Sequence, residues 1–240
     1  MIQVFKKEFN SFLNSLIAYI VIGAFLTGIG LFIWVFPDTS VLDYGFADLD
    51  TLFSMSPYVF IFLIPAITMK SFAEEKKMGT LELLLTKPLS DWQVVLGKFL
   101  AAFALVLLAL IPTVVYYYSI YKLGNPVGNI DSAGVMGSYI GLALLAMIFC
   151  AIGLFASALT SNQIISFILA AFICFIIYSG IESISLLVGS SGLAIKQLGI
   201  LYHYESLSKG LIDSRDVIYF ITVTGFVLLS TRIIIGSRQW

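Results

Sequence analysis

Residues 132–181 read SAGVMGSYIGLALLAMIFCAIGLFASALTSNQIISFILAAFICFIIYSGI, fifty positions between Asp131 and Glu182 without one charged side chain. A helix crosses the hydrocarbon core of a bilayer with about 20 apolar residues. The run is too long for one crossing and fits two. The uncharged polar triplet Ser161-Asn162-Gln163 is the natural hairpin between them. The rest of the chain agrees: its 240 residues are 60% hydrophobic and 11% charged, against about 25% charged in soluble proteins. A soluble domain of this size could not hide so much apolar side chain, so lipid is its main solvent.

Working outward, apolar runs predict six spans in one all-α domain covering 1–240, at about 15–36, 51–69, 99–121, 138–160, 164–188 and 217–235. Pro57, Pro65 and Pro112 fall inside spans, and Arg232 near the end of the last one can snorkel to the interface. The first run follows Lys6 and Lys7 but has no small-residue cleavage site, so it reads as a retained helix and not as a signal peptide. Six spans put both termini on one side. That side holds Lys6, Lys7, Lys70, Lys76, Lys77, Lys87, Lys98, Arg232 and Arg238, nine of the thirteen basic residues. The other holds Lys122, Lys196, Lys209 and Arg215. The positive-inside rule then favours N-in and C-in.

Three segments are neither simple spans nor simple loops. Residues 2–14 place Ile2, Phe5, Phe9, Phe12 and Leu13 at helical spacing among polar residues, the pattern of a helix lying on the inner membrane face or extending the first span. Residues 189–216 hold Leu193, Ile195, Leu198, Ile200 and Leu201, too apolar for an open loop. They predict short helices re-entering the outer leaflet, with Tyr202 and Tyr204 at headgroup level. Residues 70–98 form the only sizeable inner loop. There Gly79 breaks a charged stretch, and Thr80 can cap a short helix with Glu82 in its first turn. Leu81, Leu84 and Leu85 make an apolar face. Pro88 stops that helix and Ser90 starts the next. A short amphipathic helix between two spans suits docking as well as it suits an ordinary loop.

Several chemistries are excluded or weak. No G-x-x-x-x-G-K-[ST] loop is present to cradle nucleotide phosphates. His203 is the single histidine, so a His-pair metal site cannot form, and it lies outside the spans, away from any intramembrane Ser–His pair. Asp38, Asp43, Asp48 and Asp50 have no trusted metal-ligand spacing. Cys150 and Cys174 lie in apolar stretches and read as small membrane hydrophobes. Glu182, at the outer end of the fifth span, reads as a wet interfacial carboxylate, so ion-coupled transport has little support. A net charge of −1 gives nothing to attract nucleic acid. Energy for any work done here comes from outside the chain.

Glu75, Gly79-Thr80-Leu81-Glu82-Leu83-Leu84-Leu85, Pro88 and Gly97-Lys98 resemble the signature of the ABC-2 type transporter permeases. The stretch Tyr204 to Asp216 resembles that family's approach to its sixth helix. More closely, the chain resembles the permease subunit of the gliding-motility-associated ABC transporter. The resemblance implies an exporter-type transmembrane domain, with an interfacial helix at 2–14 and a cytoplasmic coupling helix, in the inner membrane of a bacterium. The chain would carry no ATPase and no cofactor, and ATP and Mg would bind a separate cytoplasmic ABC ATPase. The ATPase-coupling residues implied are Glu75, Gly79, Thr80, Leu81, Glu82, Leu84, Leu85 and Pro88. Other implied partners are a second permease chain, a copy or a homologue, and a membrane-anchored auxiliary subunit. Gly23, Gly28, Gly137 and Gly141 would help close helix contacts, either between chains or within one. The alternative is an assembly or structural factor that uses the permease fold without moving a solute.

The charge asymmetry gives a direct test. Single cysteines at Lys7, Lys77 and Gln239 should react with impermeant thiol reagents only from the cytoplasmic side, and one at Asp43 only from the opposite side. Labelling of Asp43 from the cytoplasm would overturn the topology.

Overall fold

The computed structural model describes residues 1–81, 90–188 and 195–237, and every regular element among them is helical. In chain order these are α1 (Ile2–Leu13), α2 (Leu16–Trp34), α3 (Val41–Tyr44), α4 (Asp50–Thr68), α5 (Lys70–Lys77) and α6 (Asp91–Leu110). A 3-10 turn at Ile111–Thr113, carrying Pro112, joins α6 to α7 (Val114–Leu123). Then come α8 (Ser132–Leu159) and α9 (Gln163–Phe175), which runs through a π-helical turn (Ile176–Gly180) into α10 (Ile181–Val188). The last two are α11 (Ile200–Ser208) and α12 (Ser214–Gly236). Among the described residues, six stretches are long and apolar enough to cross a membrane: Leu16–Trp34, Asp50–Lys77, Asp91–Leu123, Ser132–Leu159, Gln163–Leu187 and Ser214–Gly236. This is the all-α architecture expected from the apolar runs.

Polar side chains set the helix starts. Ser15 caps α2 and so separates it from α1, which is a helix of its own. Ser90 and Gln93 form a reciprocal capping box at the start of α6. Asn162 accepts from the Ile164 and Ile165 amides, so the uncharged run turns at its polar triplet.

At the centre stands α8, the most enclosed of the six spans. It packs against α4, α6, α9, α11 and α12. Small residues make this possible. A β-carbon at Gly153 would run into the Thr68 hydroxyl of α4. One at Gly137 would lie 2.6 Å from the Gly210 carbonyl oxygen, and one at Gly141 the same distance from the Leu207 β-carbon. This G-x-x-x-G pair is therefore used inside the chain, whereas Gly23 and Gly28 face open space.

Two devices repair the backbone of the second span. Pro57 has no N–H, so the Phe53 carbonyl loses its donor four residues on. The buried Tyr204 hydroxyl of α11 donates to it instead, at 2.7 Å. Tyr204 was expected at headgroup level, but it is 2% exposed, and burial pushes its phenol well above the usual range. The orphaned carbonyl explains why a tyrosine is drawn inward there. Ile200 and Leu207 are buried on the same face of α11, while Leu198 is exposed and Leu193 lies outside the described residues. At Met69 the span breaks between α4 and α5. The Ser157 hydroxyl of α8 accepts from the Phe72 and Ala73 amides, at 2.9 and 3.0 Å, and donates to the Met69 carbonyl at 3.0 Å. One donor and two acceptor positions are all a serine has, and all three are used.

One end of the bundle collects α1, α5, the start of α6 and the end of α12. There Arg232 lies over the Trp92 ring at 5.3 Å, and the Lys76 ammonium donates to the Ala158 carbonyl. The start of α1 and the end of α12 thus lie at this end. Tyr204→Phe should lower the thermal unfolding midpoint in detergent, through a loss of about 1–3 kcal/mol for the carbonyl left without a donor. Tyr202→Phe, at a residue 40% exposed, should leave it unchanged. Equal behaviour of the two variants would show that the carbonyl does not depend on Tyr204.

Candidate functional site

The charged segment after the second span is built from its backbone upward. Helix α5 closes with the Met78 amide on the Glu74 carbonyl and the Gly79 amide on that of Lys76. Gly79 sits at φ +67°, a left-handed position that suits a residue without a β-carbon. Thr80 and Leu81 then resume helical geometry, with the exposed Thr80 hydroxyl donating to the Glu75 carbonyl at 3.4 Å. Leu81 is 3% exposed and belongs to the core of this chain. That corrects the expectation of a leucine face wholly free for another protein: the chain's own bundle already supplies the apolar contact for Leu81. Glu82, Leu84, Leu85 and Pro88 lie outside the described residues.

Glu75 leads to the centre of the site. One of its carboxylate oxygens forms an ion pair with the Lys98 ammonium at 2.9 Å. Lys98, on α6, is 1% exposed. It also reaches Glu8 of α1 at 3.0 Å and donates to the Ser71 carbonyl of α5 at 2.8 Å. Of its three N–H donors, two are placed in hydrogen bonds, to Glu8 and to the Ser71 carbonyl, while the Glu75 carboxylate meets the ammonium as an ion pair. The exposed Lys7 lies 3.5 Å from Glu8 and 3.6 Å from Glu75. Two cations and two carboxylates therefore alternate, and their charges cancel. The Phe72 ring covers the ammonium at 5.2 Å.

The approach of α1 depends on Gly97, the neighbour of Lys98. A β-carbon there would lie 2.8 Å from that of Val4. Val4 and Glu8 stand one turn apart on α1, and together they form the face that meets α6. The face of α1 buried against α6 is thus centred on Val4, and of the apolar residues in the sequence pattern Phe12 and Leu13 pack against the core. Ile2 is exposed, and the Phe5 and Phe9 rings stack on each other at 5.6 Å. A buried ion pair costs several kcal/mol per ion in desolvation, which only good geometry and added hydrogen bonds repay. The arrangement holds three helices, α1, α5 and α6, in one register. The sequence signature contained Glu75, Gly97 and Lys98 but gave no hint of Glu8. The available signal was an acidic residue four positions after Val4 on one helix face.

Polar contacts at the opposite end are local. Glu182 pairs with Lys196 at 3.0 Å, and this carboxylate holds the ammonium above its usual range. His203 sits between the Asp216 carboxylate at 2.7 Å and the Gln197 carbonyl at 2.9 Å, stacked on Tyr219.

The charge cluster thus lies at one end of the six-span bundle. The sequence profile described as "ABC-2 family transporter protein" matches residues 2–235. The chain belongs to the ABC-2 transporter family. No curated protein sequence matches it. As a member of this family it is a membrane permease component of an ABC transporter, a transport part that is not itself catalytic and that works with an ATPase subunit. In this ABC-2 permease the signature positions Glu75 and Lys98 meet, with Gly97 beside them at the contact with α1, although Glu75 and Lys98 stand 23 positions apart in the chain.

Lys98→Met should destabilise the ABC-2 permease by about 3–5 kcal/mol, because Glu8 and Glu75 would be left buried against each other. Adding Glu75→Gln should recover a large part of that loss, and thermal unfolding of the two variants in detergent measures it. A double variant as unstable as the single one would show that the cluster does not hold these helices together.

Proposed function

We propose that this permease exports a substrate across the inner membrane of a bacterium, with both termini in the cytoplasm and energy from a separate ATPase docked against residues 70–98. The observation that carries this reading is the buried Glu75–Lys98–Glu8 cluster. It ties the base of the docking segment to α1 and to the third span, and Ser157 ties the same segment to α8. A displacement of residues 78–90 is therefore passed to two spans through buried ion pairs and hydrogen bonds. The excess of basic residues at this end supports its cytoplasmic location.

A second permease chain completes the pathway, as the resemblance to ABC-2 permeases implies. The likeness to the gliding-motility-associated permease supports a place in that system, with its ATPase and membrane-anchored auxiliary subunit. A neighbouring reading frame with a phosphate-binding G-x-x-x-x-G-K-[ST] loop would supply the ATPase candidate.

Glu82 and Leu84 carry the test of docking. Leu84→Asp would put an unpaired charge in the contact and should weaken association with the ATPase by about 2–5 kcal/mol. Glu82→Arg should lower it further by reversing a charge. Copurification of the ATPase and its hydrolysis rate in lipid measure both effects, with membrane insertion checked in parallel. Full binding and full substrate-stimulated hydrolysis by both variants would remove this segment as the coupling element. Normal coupling without movement of any solute would favour the assembly-factor alternative.

A further inference from the structure

An apolar groove of about 590 Å³ runs along the bundle between α2 and α9, with α4 as its floor. On α2 it extends from Ile20 to Phe32, about 18 Å at 1.5 Å per residue. That is close to the hydrocarbon thickness of one leaflet, about 15 Å of a core of roughly 30 Å. At the end of the bundle where α1 lies, the same helix face continues into polar ground. Phe62 and Ala66 line the groove, and Lys70 and Glu74, at the next two four-residue steps, line a cleft of about 500 Å³. Ser11, Ser15 and Thr80 add hydroxyl-bearing residues to that cleft.

The cleft contains two kinds of charge. Lys98, Glu8, Glu75 and Lys7 neutralise one another in the cluster described above. Lys70 and Glu74 are not part of it, and they present one positive and one negative group a single turn apart. An apolar slot one leaflet long, capped by a basic and an acidic side chain, matches an amphiphile whose head carries both signs.

We propose that this groove and cleft bind a phospholipid with a zwitterionic, ammonium-bearing head. Its acyl chain lies along α4 between α2 and α9, its phosphate meets Lys70, and its ammonium meets Glu74. The primary ammonium of an ethanolamine head donates hydrogen bonds to a carboxylate, whereas the quaternary ammonium of choline has none to donate and a glycerol head has no positive charge. The site needs only the permease's seat in a membrane and is independent of the substrate and of the ATPase.

The test uses the full-length chain purified in detergent and exposed to equal amounts of phosphatidylethanolamine, phosphatidylcholine and phosphatidylglycerol with matched acyl chains. Retained lipid is read by native mass spectrometry. The wild type should retain phosphatidylethanolamine above both competitors. Glu74→Gln should reduce its preference over phosphatidylcholine about tenfold, the loss expected for one charge-assisted hydrogen bond. Ala66→Phe, which fills the groove, should reduce all three lipids, with helix content checked by circular dichroism. Should that variant misfold, the Glu74→Gln comparison still decides. Equal retention of the three lipids by wild type would overturn the proposal, as would an unchanged preference in Glu74→Gln. A wild type that retains none of the three lipids, together with a Phe62→Cys variant that crosslinks to a second copy, would overturn the proposal and make the groove a subunit interface instead.

Discussion

An ammonium group that water cannot reach must find every acceptor it needs in the protein, and Lys98 imposes that demand on one whole end of this permease. Its three partners come from two other helices, Glu8 from α1 and Glu75 and the Ser71 carbonyl from α5, with the lysine itself on α6. None of the three helices can slide along another by a residue without stranding a charge. Gly97 and Val4 make the contact close enough for the charges to meet. Apolar packing alone would bind these helices with less discrimination, because one aliphatic contact resembles the next. The charged cluster supplies registry where the bundle meets the charged segment that follows the second span.

The bundle above it is organised around defects that are compensated across helices. Proline at position 57 frees a carbonyl that a tyrosine 147 positions later satisfies. The break at Met69 is closed by a serine from α8. In lipid such repairs are obligatory, since no water is present to solvate an unpaired backbone group. They also make α8 the element through which the second span and the charged segment communicate. Gly153 reinforces this by admitting the Thr68 side chain directly against the α8 backbone.

Much of this was legible in the sequence because it is written in local terms. Span number follows from run length, the hairpin from an uncharged triplet, and the start of α6 from Ser90. Gly79 announces a turn by its residue type. What stayed hidden is long-range. Nothing in the leucine spacing of 81–85 says that Leu81 goes into the chain's own core. Tyr204 reads as an interfacial aromatic until the carbonyl freed by Pro57 is placed opposite it. Glu8 looks like a solvated charge on an amphipathic helix, and only the fold brings it to a lysine 90 positions away. Family resemblance singled out Gly97 and Lys98 without supplying the physical reason, which is a helix contact and a buried charge.

The π-helical turn at Ile176–Gly180 bears on how one helix can serve two neighbourhoods. Tyr178 is buried among Tyr58, Phe149 and Tyr204, and Glu182, four positions on, pairs with Lys196. In uninterrupted α-winding, residues four apart share one face, so the carboxylate would follow the phenol towards the aromatic cluster. The wider turn unwinds the helix between them, by up to about the 100° that separates neighbours in ordinary winding. Aromatic packing below and ion pairing above can then be met by a single continuous rod, and a one-residue deletion here would set those two demands against each other.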